Sequence, residues 1–253
     1  MRFLVTANTD AGTVKGINQD SILVKHGVCA QGELLLAVVC DGMGGLAKGE
    51  LASAMGVRMA AQWFEEELPY ELRHLELQAL GDKLSRKLKA LNERLQAYGK
   101  QKNITMGTTF TGILFVNDRY VITHVGDTRI YHIGNRLKQL TKDQTYVARE
   151  IRRGAMTAEQ ARTDRWRNML LQCVGASKTL EPEVLSGRRE RGVYLLCSDG
   201  FRHELSEGEL YRFLNPLQLI DKEAMESGAR YLVEQVKRRK ETDNISVIII
   251  KGA

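Results

Sequence analysis

The chain has 253 residues, 43% of them hydrophobic and only 6% aromatic, with 37 Lys and Arg against 31 Asp and Glu for a formal net charge of +6. That length and apolar content can fill one sizeable core, and with three prolines and no Gly/Ser-rich or Pro-rich linker a single domain over 1–253 is expected. The basic surplus permits an anionic partner, but the cations are dispersed, dense only at Arg149 to Arg167 and Lys237 to Lys240, and lack interleaved aromatics, so nucleic acid is not the expected partner.

The first residues, Met1 to Gly12, lack the apolar core of a signal peptide, and no stretch approaches the roughly 18 apolar residues that span a bilayer. Cys29, Cys40, Cys173 and Cys197 show no C-x-x-C spacing, and two of them lie inside the most apolar runs as small hydrophobes. A reduced, cytoplasmic compartment is expected, with no membrane partner. Phe3 to Ala7 and Ser21 to Val24 read as short strands that should pair, separated by a polar turn region holding Lys15, Asn18, Gln19 and Asp20. Leu34 to Cys40 reads as a strand buried on both faces that runs into Asp41-Gly42. A carboxylate there is held at the edge of a core, although Asp-Gly is also an ordinary turn dipeptide.

Glu50 to Leu68 carries helical periodicity at Leu51, Ala54, Met55, Met59, Trp63 and Phe64, and Leu77, Leu80, Leu84, Leu88, Leu91, Leu95 and Tyr98 form a one-sided stripe. Such a stripe can bind a partner helix, but packing on the chain's own sheet is the expectation. Met106-Gly107-Thr108-Thr109 opens a dense β region: Thr108 to Val116, Arg119 to Val125, Thr128 to Ile133 and Arg136 to Leu140, whose short turns predict antiparallel neighbours. From Lys142 to Gly187 the pattern gives way to short polar helical pieces, with a capping box at Thr157 and Gln160, so a flap at about 144–187 is expected. Val193 to Cys197 restores a buried strand. Ser206 with Glu209 caps a short helix, Asp221 to Arg239 forms a longer one, and Ile245 to Ile250 closes the sheet. Strands in clusters with helices in long blocks predict an α+β fold with antiparallel sheets.

Four strand ends carry an aspartate beside Gly or Asn: Asp41, Asp127, Asp199 and Asp243. Converging, they supply the all-oxygen set that suits Mg²⁺ or Mn²⁺. No His/Cys set suits zinc, and there is no G-x-S-x-G, Walker loop or G-x-G-x-x-G.

Six segments in order, Gly16-Ile17-Asn18-Gln19-Asp20-Ser21, Val39-Cys40-Asp41-Gly42-Met43-Gly44-Gly45, Met106-Gly107-Thr108-Thr109, Val125-Gly126-Asp127-Thr128-Arg129, Cys197-Ser198-Asp199-Gly200 and Thr242-Asp243-Asn244-Ile245-Ser246-Val247, resemble the motifs of the metal-dependent Ser/Thr protein phosphatases, the protein phosphatase 2C-like or PPM family, in its bacterial branch. The resemblance spans nearly the whole chain. It implies a β-sandwich of two antiparallel sheets flanked by helices in four layers, αββα, with a binuclear metal centre at one end. Asp41 would bridge two ions, Asp199 and Asp243 would bind the first, and the Gly42 carbonyl the second. Asp127 with Asp199 would hold a third, weaker ion, and Asp20 would act through metal-bound water. Two ions about 4 Å apart acidify a bridging water whose hydroxide attacks phosphorus in line, releasing phosphate from phosphoserine or phosphothreonine. Implied partners are phosphorylated proteins, including a Ser/Thr kinase and its substrates, and a monomer is expected.

The chain departs from the family at three points. Lys15 stands where the family often places a phosphate-binding Arg; it keeps the charge, loses the bidentate fork, and is expected to be the only fixed cation near the substrate phosphate. Met43 replaces the His assigned as general acid in animal members, so water, or another residue, must protonate the leaving oxygen. Asp143-Gln144-Thr145 stands where bacterial members usually have Asp-His-Ser. Two competing readings are a catalytically silent member that binds phosphoproteins, disfavoured by retention of all four metal-site aspartates, and a hydrolase of small phosphate esters.

Overall fold

The computed structural model describes residues 3–29, 32–43, 48–74 and 76–252, so Gly44 and Gly45 lie outside the described residues. The strands are β1 Phe3–Asp10, β2 Ser21–Cys29, β3 Gly32–Cys40, β4 Phe110–Val116, β5 Arg119–Val125, β6 Arg129–Ile133, β7 Leu137–Gln139, β8 Glu183–Arg188, β9 Val193–Cys197 and β10 Ile245–Gly252. They form two five-stranded sheets, ordered β1-β10-β9-β6-β7 and β2-β3-β4-β5-β8, and the pairs in both are antiparallel.

Period-two side-chain alternation explains why β3 is apolar throughout. Leu35, Ala37 and Val39 face the other sheet, meeting Ile130, Leu196 and Ile248, while Leu34, Leu36, Val38 and Cys40 face outward into a core shared with helices. Those helices are α1 Gly49–Gln62, continued through a π-helical segment Trp63–Glu67 into α2 Leu68–Glu71, and α3 Leu77–Lys102. The leucine stripe of α3 is buried from Leu77 to Leu95 against β5 and β8, so it packs on its own sheet as expected. After the segment carrying α4 Tyr146–Arg152 and α5 Ala158–Thr163 come α6 Asp199–Arg202, α7 Glu207–Leu214 and α8 Lys222–Arg238. Met225, Leu232 and Val236 of α8 cover the outer face of the first sheet with Leu195 and Ile249. Helix, sheet, sheet and helix thus make the four expected layers.

Three local expectations fail for tertiary reasons. β1 and β2 do not pair: β1 lies on β10 and β2 on β3, in opposite sheets. β5 and β6 are separated only by Gly126, Asp127 and Thr128 yet also belong to opposite sheets, because Gly126 takes φ +107° and turns a corner rather than a hairpin. The polar run to Gly187 ends earlier than its composition suggests, since Glu183–Arg188 pairs with β5 as an edge strand.

Candidate metal centre

Register brings five carboxylates to one end of the sandwich. Ser21 pairs with Cys40, which sets Asp20 beside Asp41. Cys197 pairs with both Val247 and Arg129, which sets Asp199 between the approach to β10, where Asp243 stands, and the β5–β6 corner carrying Asp127. Each is held through its backbone or its neighbours. The Asp41 N–H donates to the Thr109 hydroxyl at 2.9 Å, and its carbonyl accepts from the Thr109 N–H at 2.8 Å and the Thr108 hydroxyl at 2.9 Å. A Cβ at Gly42 would stand 2.4 Å from the Gln19 carbonyl oxygen, so only glycine lets the segment carrying Asp20 lie this close to Asp41.

Residues that sequence reasoning did not single out do much of the positioning. The Asn244 side chain accepts from the Gln19 N–H at 2.9 Å and donates to the Ala11 and Ile17 carbonyls at 3.0 and 3.2 Å, tying the β1–β2 connection to β10. Glu241 Oε1 accepts the N–H groups of Thr242 and Asp243 at 2.7 and 2.9 Å. Arg202 Nη2 donates to the Asp127 carbonyl at 3.2 Å and lies 3.6 Å from Asp127 Oδ2 and 3.7 Å from Asp143 Oδ2. His203 stands between Asp199 and Glu241, at 3.7 and 3.6 Å. Arg202 and His203 follow Asp199 by three and four residues, one helical turn; that spacing was the available signal, and the short polar α6 offered no hydrophobic period to reveal it.

The electrostatics are those of an acidic cluster that Arg202 and Lys15 compensate only in part. Burial, then the charges of Asp20, Asp199, Asp127 and Asp243, push the Asp41 carboxyl well above the usual range. Asp20 is raised to about 7 by burial, with Asp199 and Asp243 adding and the Ser246 and Ser198 hydroxyls opposing. Asp127 is likewise raised to about 7 by burial and Asp199, against Arg202. Asp20 Oδ2 and Asp199 Oδ1 are buried without a hydrogen-bond partner, a condition that costs free energy unless a cation supplies the missing contact. Lys15 sits 3.3 Å from Asp243 Oδ1, which places it at this cleft, but it is not the only cation there, because Arg202 is nearer Asp127.

Among the described residues, no three His, Cys, Asp or Glu side chains converge as a cage for one metal ion. The donor chemistry nevertheless fits hard divalent ions: the set is all oxygen, two acceptors are orphaned, and Mg²⁺-like ions take one or two carboxylates and keep several waters. Sulfur does not enter, since Cys40 is buried and its thiol is pushed up by that burial and by Asp20 and Asp41.

A cleft of about 940 Å³ leads away from Asp127 and Asp243 beneath the segment after β7. That segment is bolted at its ends. Gln144 accepts the Gly126 N–H at 2.8 Å through its side chain and donates its own N–H to the Gly126 carbonyl at 2.9 Å, and the Gln144 carbonyl accepts from the Leu171 N–H at 2.7 Å. Arg129 grips Asp143 with two bonds of 2.8 and 2.7 Å, holding that carboxyl below its ordinary range despite burial. Between the bolts, α4 has no buried residue and α5 buries only Ala161.

A family profile described as protein phosphatase 2C matches residues 12–237. The serine/threonine protein phosphatase PstP of Mycobacterium tuberculosis is 31% identical over 246 residues, covering 96% of this chain; the chain spans 44% of that relative's length. The crystal structure of the serine/threonine phosphatase Stp1 from Staphylococcus aureus superposes with a TM-score of 0.86 at 27% identity, over 100% of this chain and 96% of that one. The catalytic domain of PstP in complex with two manganese ions superposes with a TM-score of 0.77 at 28% identity, over 98% and 97% of the two chains. With the six ordered motifs, the four-layer sandwich and the acidic end of its sheets, the chain belongs to the protein phosphatase 2C family.

Proposed function

We propose that this chain is a metal-dependent serine/threonine protein phosphatase that hydrolyses phosphoserine and phosphothreonine in proteins. The observation that carries the reading is the gathering of five carboxylates, two with orphaned oxygens, at the end of the sandwich, where burial and mutual repulsion oppose their charge. A silent phosphoprotein-binding member has no use for that electrostatic cost. Asp41 would bridge two Mn²⁺ or Mg²⁺ ions, with Asp199 and Asp243 on the first and the Gly42 carbonyl on the second. Asp127 and Asp199 would take a third, weaker ion, and Asp20 would hold water about the centre. The bound ions supply Lewis acidity, acidifying water and neutralising charge that develops on the phosphoryl oxygens.

The protein's own contribution is rigidity and charge. The Thr108 and Thr109 contacts fix Asp41, Glu241 fixes the Asp243 backbone, and Arg202 fixes the Asp127 corner, so the donors are aimed before any ion or substrate arrives. Lys15 brings a mobile ammonium to the rim, where it can meet a phosphoryl oxygen as a point charge. Met43 stands at the position of the His of animal members and has no proton to give, so the leaving alkoxide takes its proton from water or from another residue of the cleft. Free cysteines fit a reducing cytoplasm, and a protein kinase acting on the same substrates is the partner such chemistry requires.

The deciding experiment is p-nitrophenyl phosphate turnover with Mn²⁺, Mg²⁺ or chelator, for the native chain and for Asp41→Ala and Asp199→Ala. Turnover should need metal and should fall by at least about a hundredfold in either variant. Turnover near the native level in both would overturn the metal-centre reading.

A further inference from the structure

We propose that the cleft beneath the α4–α5 segment reads acidic residues flanking the phosphorylated residue of the substrate, through Arg162, Arg167 and Lys240. The inference rests on the phosphatase reading and names the substrate class within it. The segment from Arg149 to Arg167 holds six arginines, and the structure divides them sharply. Arg149 and Arg153 pair with Glu150 at 2.8 and 3.7 Å, Arg152 donates to the Asp143 carbonyl at 3.1 Å, and Arg165 lies 5.0 Å from the centre of the Trp166 ring. Arg162 and Arg167 are exposed and their side chains have no hydrogen bond, ion pair or ring contact among the described residues, and these two line the cleft.

Lys240 lines the same cleft. It also lacks a side-chain partner among the described residues, and its backbone takes φ +65°, a left-handed conformation that glycine or asparagine would adopt at lower cost after a helix. A lysine held there against that cost points to a use for its side chain.

The acids of the cleft wall, in contrast, are committed. Asp143 is held by Arg129, Glu209 by Arg239, and Glu241 by His203 and two backbone N–H groups. Away from the strand-end aspartates, Glu204 alone among the described acids lining the cleft has no side-chain hydrogen bond or ion pair, and Arg239 lies near enough to act on it, so the three uncommitted cations have little acid of the chain's own to meet. The same cleft opens on Asp127 and Asp243. A peptide whose phosphate reaches the metal centre therefore runs its neighbouring residues past these cations, and about 940 Å³ accommodates more than the phosphorylated side chain. Carboxylates there meet charges that are already exposed, and arginine can bind them with two parallel bonds.

The test uses two phosphothreonine peptides of equal length that differ only in having Glu or Ala on both sides of the phosphothreonine. The Glu peptide should show a kcat/KM at least about fivefold higher at low salt, the scale expected of a few solvent-exposed ion pairs, and the ratio should shrink as salt is raised. Fluorescence anisotropy of the labelled peptides on the Asp199→Ala chain, where turnover is removed, should show the same ordering of Kd. Arg162→Ala with Arg167→Ala should lower both ratios toward one, Lys240→Ala added to them should bring both to about one, and Arg162→Glu with Arg167→Glu should invert the preference toward a Lys-flanked peptide, a gain that misfolding cannot produce. Equal values for the Glu and Ala peptides on the native chain, or a preference that survives both double variants, would overturn the inference. Absence of metal-dependent p-nitrophenyl phosphate turnover would instead overturn the phosphatase reading, and the anisotropy ratio would still decide what the cleft binds.

Discussion

At the residue scale, Lys15 and His124 show how the same charge logic gives opposite outcomes in a cleft and in a core. Lys15 is 31% exposed and spans 3.3 Å to Asp243, itself 40% exposed, so the pair contributes little to stability and leaves the ammonium available to substrate. Lys15→Ala should raise KM for phosphopeptides and for p-nitrophenyl phosphate alike, by about fivefold, with a smaller fall in kcat. Lys15→Arg should restore or tighten binding through its fork. Steady-state kinetics on both substrates decide it, and unchanged KM and kcat in Lys15→Ala would make this a surface lysine.

His124 is fully buried between a donor and an acceptor: the Thr111 hydroxyl lies 2.8 Å from Nδ1 and the Lys142 carbonyl 3.1 Å from Nε2. A carbonyl only accepts, so Nε2 carries the proton and Nδ1 accepts from Thr111. Burial drives its pKa down to about 4 from the usual 6.5. The unfolded chain therefore binds a proton below about 6.5 that the folded chain refuses until about 4, and stability falls as pH drops through that window, by on the order of 3 kcal/mol at most. Buried Asp20 and Asp127, with raised pKa values, act in the opposite direction in metal-free protein. The useful measurement is thus the difference in urea-unfolding free energy between native chain and His124→Gln from pH 7 to 4, which should narrow as pH falls.

At the scale of elements, the α4–α5 segment and the sheets differ in what they bury. Both capping boxes, at Thr157 with Gln160 and at Ser206 with Glu209, form as their spacing predicts, because a cap needs only residues within one turn. Yet caps do not pack a segment, and Ile151, Trp166, Met169 and Leu171 stay exposed between the bolts at Gln144 and Leu171. Limited trypsin digestion should therefore cut first among the arginines from 149 to 167, well before the sheets open. Simultaneous loss of flap and core would contradict this. The β5–β6 corner shows the complementary case: a three-residue connection reads as a hairpin in sequence, but Gly126 at φ +107°, gripped by Gln144, sends the chain into the other sheet and sets the buried Asp127 at the seam.

At the scale of the whole molecule, folding forces five carboxylates together at one end of a chain whose formal net charge is +6. In metal-free protein that repulsion costs stability, whereas Mn²⁺ bound only by the folded state stabilises it by mass action, about 2.7 kcal/mol at a hundred times Kd. Asp41→Asn should therefore raise the melting temperature of the metal-free chain, by about 2–4 °C for each 1 kcal/mol of relieved repulsion, while abolishing most of the Mn²⁺-induced rise. Calorimetry with and without chelator reads both; a variant less stable than the native chain without metal would show that Asp41 is held for packing. By itself the sequence determined the buried β3 and β9, the α3 stripe, the capped helices and the strand-end aspartates that the fold gathers at one end, because those depend on residues a few positions apart or on short motifs. Only the tertiary structure decided that β1 and β2 part to opposite sheets, that Arg202, His203, Glu241 and Asn244 brace the site, and which two of six flap arginines stay free. Those outcomes depend on which strand ends meet across the sandwich, and long-range pairing leaves no period along the chain to read.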